Sequence, residues 1–116
     1  MAQTEQMVVA QFQEKRQQLS AMAGKINELR GEIQEHEMVL KTLETMDRGR
    51  KCFRLIDQVL VERTVGEVQP AVAKNLEGLT DAVNNITESA KKHETELNEF
   101  QAKYKIRIVG PGEEQQ

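Results

Sequence analysis

Apolar residues recur at alternating spacings of four and three in two long stretches of the sequence, one on each side of a short β-branched segment. The first stretch runs from Val8 to Leu43 and the second from Val72 to Tyr104. Only three positions on these two stripes are not apolar: Lys15, His36 and His93. A repeat of about 3.5 residues held over this length is typical of a coiled coil. It predicts two helices of about 40 residues, each with an apolar stripe that needs a partner.

The connection between the two stripes is short, so the helices are predicted to fold back on each other in an antiparallel coiled coil. In this pairing Leu43 lies opposite Val72 at the bend, and Phe12 lies opposite Tyr104 at the other end. The two histidines then lie at different heights, which argues against a metal site built from both. The sequence contains no other metal-ligand set, no phosphate-binding loop and no nucleophile–base pair. We therefore expect no enzyme activity, no metal and no cofactor.

The segment at the bend predicts a β-hairpin. Cys52–Ile56 and Val59–Arg63 are short runs rich in β-branched and other apolar residues, and only Asp57 and Gln58 separate them. That is the spacing of a two-residue hairpin. Cys52 is the only cysteine, so no internal disulfide is possible. With no histidine or second thiol beside it, a small buried strand residue is favoured over a reactive thiol.

The second helix has a start signal just after the hairpin. Thr64-Val-Gly-Glu67 has the form of a capping box, and Pro70 predicts either a kink or a regular helix that begins nearer that residue. The predicted fold class is mainly α, a long antiparallel coiled-coil hairpin with one β-hairpin at the bend. The predicted boundaries within one domain, 1–116, are a helix over 5–46, the hairpin over 50–64, a helix over 65–106 and a disordered tail over 110–116.

The composition limits the partners that such a chain can have. Charged residues make up 30% of the sequence and aromatic residues 3%, which suits an apolar stripe rather than a globular core. The net charge is −3 and there is no long basic tract, so neither nucleic acid nor an anionic membrane is an expected partner. No stretch approaches the roughly 20 apolar residues of a membrane span, and no signal arrangement is present. A cytoplasmic protein is expected, with the nucleus kept as a second compartment.

The hairpin has too little of its own chain to pack against. An isolated two-stranded hairpin is marginal in water, and both of its strands keep an unpaired edge. Pairing these edges with the hairpins of other subunits, in a closed barrel, removes both problems. The residues expected to mediate this assembly are the apolar residues of the two strands: Phe53, Leu55, Ile56, Val59, Leu60 and Val61.

The sequence resembles the β-type subunits of the prefoldin family over about residues 8–108. The hairpin region carries the more specific match: Arg50-Lys-Cys-Phe-Arg54, Val59-Leu-Val-Glu-Arg-Thr-Val65, Glu67-Val68 and Pro70-Ala71. A second match is Leu97-Asn-Glu-Phe100 followed by Lys105-Ile-Arg-Ile108. The connection has room for one hairpin, which fits the β-type subunits and not the two-hairpin α-type. The sequence departs from the family at the turn, where Asp57-Gln58 stands in place of the frequent Gly-Gly, so a wider or strained turn is expected.

The resemblance implies a function. Prefoldin is a heterohexamer of two α-type and four β-type subunits, whose hairpins build a double β-barrel and whose coiled coils project from it. The distal ends of the coils hold unfolded polypeptides, such as actin and tubulin, without ATP hydrolysis, and the client passes to the cytosolic group II chaperonin. The implied partners are therefore other prefoldin subunits, unfolded clients and that chaperonin.

The two chain ends are expected to lie together at the far end of the coil and to form a client-binding tip. Exposed apolar groups there would bind exposed apolar groups of a client without sequence specificity. The candidate tip residues are Met7, Val8, Val9, Phe12, Tyr104, Ile106 and Ile108. For Phe12 and Tyr104, completion of the coil seam is the alternative. Two alternative functions are also kept, a structural coiled-coil spacer and a nucleic-acid-binding helical arm.

Overall fold

The computed structural model describes residues 2–107, and Ile108 and the predicted tail over 110–116 lie outside this range. The elements in chain order are α1 (Ala2–Glu44), β1 (Lys51–Ile56), β2 (Val59–Thr64) and α2 (Val65–Lys103). The predicted fold class of two long helices with a β-hairpin between them is confirmed. Participation of the hairpin in a barrel involves other chains and stays a prediction.

The helices and the hairpin contribute to two compact units. The hairpin unit is Lys25–Asn85, and the terminal unit combines Met1–Gly24 with Ile86–Gln116. In both units, the two stripes are the least exposed surfaces of the helices. Every stripe position of α1 is buried or half-buried, and so is every stripe position of α2. Tyr104, the last stripe position, follows the end of α2 and is exposed. The 3.5-residue repeat therefore identified the packed face correctly.

The core of the hairpin unit lies where the two helices meet the hairpin. Leu43, Val65, Val68 and Val72 form a buried cluster, with Cys52 packed against it from β1. The contact between Leu43 and Val72 was predicted from the stripes. Val65, the first residue of α2, is completely buried, because it packs in this cluster with Leu43 near the end of α1.

Hydrogen bonds that α2 donates to the loop between α1 and β1 fix the start of α2. The Val65 N–H donates to the Arg50 carbonyl at 2.9 Å, and the Gly66 N–H donates to the Arg48 carbonyl at 2.9 Å. The first amides of a helix have no partner within the helix, so these two carbonyls satisfy donors that would otherwise be free. The end of the hairpin and the end of α1 are thereby tied to one point.

The predicted capping box is present in a modified form. The Glu67 N–H donates to the Thr64 hydroxyl at 3.3 Å, as the sequence predicted. In the return contact, the Thr64 hydroxyl donates to the Glu67 carboxylate at 3.0 Å, so the carboxylate binds the hydroxyl and not the backbone amide of Thr64. The helix begins at Val65 and continues through Pro70. The expectation of a regular helix beginning nearer Pro70 is therefore wrong, because the cap and the loop carbonyls start it earlier.

The carboxyl end of α2 is a Schellman motif. The Ile106 N–H donates to the Gln101 carbonyl at 3.0 Å, and the Lys105 N–H donates to the Ala102 carbonyl at 3.3 Å. Lys105 has a φ of 53°, the left-handed conformation that this motif requires. The motif ends the helix at Lys103, three residues before the predicted boundary at 106.

Candidate assembly and client-binding surfaces

The hairpin is a regular two-stranded antiparallel ladder. Its register pairs Ile56 with Val59 and, at the other end, Lys51 with Thr64. Each strand is one residue longer than the sequence predicted. The sheet contains only these two strands in the described part of the chain, so each strand has one edge that no strand of this part pairs.

The turn of the hairpin contains two residues in the left-handed conformation. Asp57 has a φ of 47° and Gln58 a φ of 67°, which is the signature of a type I′ turn. The turn is not wider than two residues, so that alternative is wrong. The strained alternative holds for Gln58, because its side chain tolerates a positive φ less well than glycine or asparagine does.

The alternation of side chains along the strands gives the hairpin two faces. We call the side of Cys52 the inner face and the side of Phe53 the outer face. Cys52 packs against the core cluster, and the inner face therefore lies toward the helices. The inner-face residues are Cys52, Arg54, Ile56, Val59, Val61 and Arg63. The outer-face residues are Lys51, Phe53, Leu55, Leu60, Glu62 and Thr64.

The outer face carries three apolar side chains that the described part of the chain leaves uncovered. Phe53, Leu55 and Leu60 are 64%, 68% and 64% exposed, and Leu55 lies directly opposite Leu60. Burying these three side chains would stabilise a complex by about 1.5–3 kcal/mol each, before the costs of association. The polar contact on this face is an exposed ion pair between Lys51 and Glu62 at 3.5 Å, which contributes little.

The predicted assembly residues divide between the two faces. Ile56 and Val59 lie next to the turn and are exposed, whereas Val61 is half-buried. The inner face is therefore covered near the helices and open near the turn. All six predicted residues lie on one small hairpin, and the three on the outer face form its largest bare apolar surface.

The terminal unit contains a cluster of three aromatic rings. Phe12 stacks on Phe100 with the ring centroids 6.4 Å apart and the planes 11° apart. Tyr104 packs against Phe100 with a centroid distance of 4.7 Å and a tilt of 50°. Phe12 thus meets Phe100, one helical turn from the predicted partner Tyr104. The stripe repeats every three or four residues, so a shift of one turn leaves apolar residues facing each other.

The position of Lys15 on the apolar stripe is explained by this cluster. Its ammonium group lies 5.4 Å from the centroid of the Phe100 ring. A cation over an aromatic face is stabilised by about 0.5–1 kcal/mol at an exposed site and by more when partly desolvated. The aliphatic part of the side chain fills the stripe while the charge remains accessible to water.

The predicted tip residues differ in accessibility. Phe12 is 4% exposed and belongs to the seam. Met7 and Val9 are 59% and 48% exposed and Tyr104 is 43% exposed. Val8 and Ile106 are half-buried, and Ile108 lies outside the described residues. The side chains that a client could reach without any rearrangement are therefore Met7, Val9 and Tyr104.

The two seam histidines bond to the backbone of their own helices. Nδ1 of His36 donates to the Glu32 carbonyl at 2.7 Å, and Nδ1 of His93 donates to the Ser89 carbonyl at 2.9 Å. Because a carbonyl only accepts hydrogen bonds, each ring carries a proton on Nδ1. Within residues 2–107, no group of three or more His, Cys, Asp and Glu side chains is placed to hold a metal ion. Neither helix in this range is long and apolar enough to cross a membrane.

The fold and its bare hairpin define a coiled-coil subunit that is suited to assembly with other chains. The family model described as prefoldin subunit matches residues 6–110. The chain belongs to the prefoldin family, whose members are chaperone subunits that assemble with one another.

Individual relatives agree with this assignment. Prefoldin subunit 2 of Arabidopsis thaliana is 44% identical over 105 residues, which cover 90% of this chain and 71% of the relative. Prefoldin subunit 2 of Homo sapiens is 41% identical over 108 residues, which cover 93% and 70%. Probable prefoldin subunit 2 of Schizosaccharomyces pombe is 39% identical over 105 residues, which cover 90% and 92%.

A solved structure shows the same fold. The crystal structure of the prefoldin beta subunit from Thermococcus strain KS-1 matches with a TM-score of 0.74 and 19% identity, over 84% of this chain and 86% of that one. At this identity the likeness supports the fold alone.

Proposed function

We propose that this chain is a β-type subunit of a heterohexameric prefoldin and that the outer face of its hairpin holds it in the complex. The observation that carries the proposal is the bare apolar surface of Phe53, Leu55 and Leu60 on a two-stranded sheet with unpaired edges. A monomer gains nothing from exposing these side chains. A barrel shared with the hairpins of other subunits buries them and pairs the edges.

Assembly can be tested by native mass spectrometry of this chain mixed with its cognate prefoldin subunits. Leu55→Asp and Leu60→Asp place charges on the outer face, and both should remove the chain from the mixed complex because a buried unpaired carboxylate is costly. Asn84→Asp introduces the same residue at an exposed position of α2 and should leave incorporation unchanged. Normal incorporation of both hairpin variants would contradict the proposal.

Within the complex, the chain holds unfolded polypeptides through its terminal unit, without ATP. Met7, Val9 and Tyr104 present exposed apolar surface there, and the flexible methionine adapts to many clients. Each contact is weak, and contacts from several subunits of one complex add through effective concentration. Weak contacts also permit release to the cytosolic group II chaperonin. The clients are of the actin and tubulin class, and the site of action is the cytoplasm, with the nucleus as a second compartment.

Client capture is tested separately from assembly. The double variant Met7→Gln, Val9→Gln removes exposed apolar surface without touching the seam. Its complexes should form normally but suppress the aggregation of diluted, denatured actin less well in a light-scattering assay. Glu5→Gln, Glu14→Gln changes two exposed residues of the same helix and serves as the control. Unchanged suppression by the Met7/Val9 variant would rule out this part of the terminal unit as the client surface.

The two alternative functions have weaker support. A coiled-coil spacer explains the helices but gives no role to the outer face of the hairpin. A nucleic-acid-binding arm requires a basic stripe, whereas the chain has a net charge of −3. A gel-shift experiment with RNA, which should show no salt-dependent binding, distinguishes the arm from the chaperone subunit.

A further inference from the structure

The hairpin unit exposes two large apolar side chains that neither the stripe nor the hairpin explains. Met38 is 69% exposed and Val39 is 45% exposed, and they are neighbours on α1. In the described hairpin unit, all other exposed large apolar residues belong to the hairpin itself. Single apolar residues on a surface are ordinary, but Val39 shares a cleft with the hairpin residue Arg54 and so adds to the apolar surface exposed there.

Val39 and the inner face of the hairpin line the same depression. We call it the side cleft; it has a volume of about 200 Å³ and is lined by Glu35, His36, Val39, Arg54, Val72 and Asn75. A second cleft of about 650 Å³ shares three of these residues and continues along the helices past Gly78. A Cβ atom at Gly78 would meet nothing within 4 Å. The surface that begins at the hairpin therefore continues as an open groove along the coil.

Arg54 gives the side cleft a specific electrostatic character. It is half-buried on the inner face, directly opposite Val61. Within residues 2–107 its side chain forms no ion pair and no hydrogen bond, although Glu35 lines the same cleft. A partly desolvated guanidinium group is stabilised by a carboxylate that binds its planar donors. Among residues 2–107, no carboxylate pairs with the Arg54 side chain.

We propose that the side cleft is a second part of the subunit interface, where an adjacent prefoldin subunit inserts an apolar side chain against Val39 and Val72 and places a carboxylate on Arg54. The proposal rests on the proposed hairpin assembly, because the cleft begins at the inner face of the hairpin and a subunit bound there reaches it. The Arg54 guanidinium group beside a small apolar cleft suits a partner that always presents the same residues at this place. Clients, which differ in sequence, do not provide a carboxylate at a constant position.

The first test compares variants in the reconstituted complex by native mass spectrometry. Val39→Lys and Arg54→Gln should each require about tenfold more of this chain for half-maximal incorporation. Arg54→Lys keeps the charge and should lose less. Gln34→Lys places the same new residue as Val39→Lys on another side of α1 and should incorporate normally. Circular dichroism verifies that each variant remains helical. Normal incorporation of Val39→Lys and Arg54→Gln would overturn the proposal.

The second test locates the occupant directly. A benzophenone amino acid at position 39 should cross-link this chain to a different prefoldin subunit, at an apolar residue within a few positions of an Asp or Glu. Adducts only with a second copy of this chain, only with an added unfolded protein, or with nothing would each overturn the proposal. If Leu55→Asp and Leu60→Asp both leave assembly intact, the hairpin proposal fails, while the cross-link from position 39 still reports on the cleft. The two failures are thereby distinguishable.

Discussion

Gly66 and Arg48 approach each other so closely that a side chain at position 66 would be crowded. The Gly66 N–H donates to the Arg48 carbonyl at 2.9 Å, and a Cβ atom at position 66 would lie 3.3 Å from that same oxygen. The hydrogen bond prevents the oxygen from simply moving away. The first turn of α2 is therefore fastened to the loop after α1 at a point where glycine alone fits without adjustment.

This contact predicts that Gly66→Ala destabilises the chain, although alanine is the better helix former. Alanine would gain up to about 1 kcal/mol from helix propensity, but the crowding lengthens the hydrogen bond to Arg48 and disturbs Val65, which is completely buried. We expect a net loss of about 1 kcal/mol in the free energy of unfolding, measured by urea denaturation at a fixed protein concentration.

Gly31→Ala is the matched control for this experiment. Gly31 lies within α1 and is exposed, and a Cβ atom at this position would meet nothing within 4 Å. The same substitution should raise the free energy of unfolding there by about 0.5–1 kcal/mol. If both substitutions stabilise the chain equally, the close approach of Gly66 to Arg48 has no energetic consequence.

The turn of the hairpin predicts a stabilising substitution. Gln58 has a φ of 67°, and glycine adopts this conformation without the steric cost that a Cβ atom imposes. Asp-Gly is also a preferred pair for a type I′ turn. Gln58→Gly should therefore raise the free energy of unfolding of the hairpin by about 1 kcal/mol, read from amide exchange in the two strands. Gln58→Val should lower it, and the reverse order would contradict the assigned turn.

In the terminal unit, we expect different residues to determine the stability of the chain and the capture of clients. Phe12 is buried and stacked on Phe100, so Phe12→Ala should cost about 3–5 kcal/mol, including the cavity it leaves. Val9 is 48% exposed, and Val9→Ala should change the free energy of unfolding by less than about 0.5 kcal/mol. Urea denaturation measures both. Equal effects would mean that Phe12 is not part of the seam.

Particular residues show which features of the fold the sequence predicts. The apolar repeat identified the packed face of both helices, and the hairpin and its two-residue spacing followed from Cys52–Ile56 and Val59–Arg63. The stripe could not fix the partner of Phe12, because a shift of one turn keeps apolar residues in contact. It also gave no reason for Lys15, whose partner Phe100 is distant in sequence.

Some features of the candidate surfaces could not be found in the sequence. The six assembly residues were predicted as one group, and only the register of the strands separates Phe53, Leu55 and Leu60 from the face that packs on the helices. Met38-Val39 was visible as an apolar pair outside the stripe. That Val39 and Arg54 line the same cleft depends on how the bend brings α1 and β1 together.

The Thr87 hydroxyl in α2 is expected to lower the stability of the chain. Oγ1 of Thr87 is buried and has no hydrogen-bond partner in the described part of the chain. A threonine in a helix commonly satisfies its hydroxyl at a carbonyl of the preceding turn, as Thr80 does with the Leu76 carbonyl at 2.9 Å. Valine has nearly the same shape and no polar group to desolvate. Thr87→Val should therefore raise the free energy of unfolding by about 1 kcal/mol.

Thr80→Val is the control for this substitution, because it removes an exposed hydroxyl that already has a partner. Its effect should stay within about 0.5 kcal/mol of zero, as for other surface substitutions. Urea denaturation of the two variants at the same protein concentration compares them directly. A loss of stability in Thr87→Val would show that the hydroxyl does have a partner, such as a bound water, and that the seam of the terminal unit is locally hydrated around Thr87.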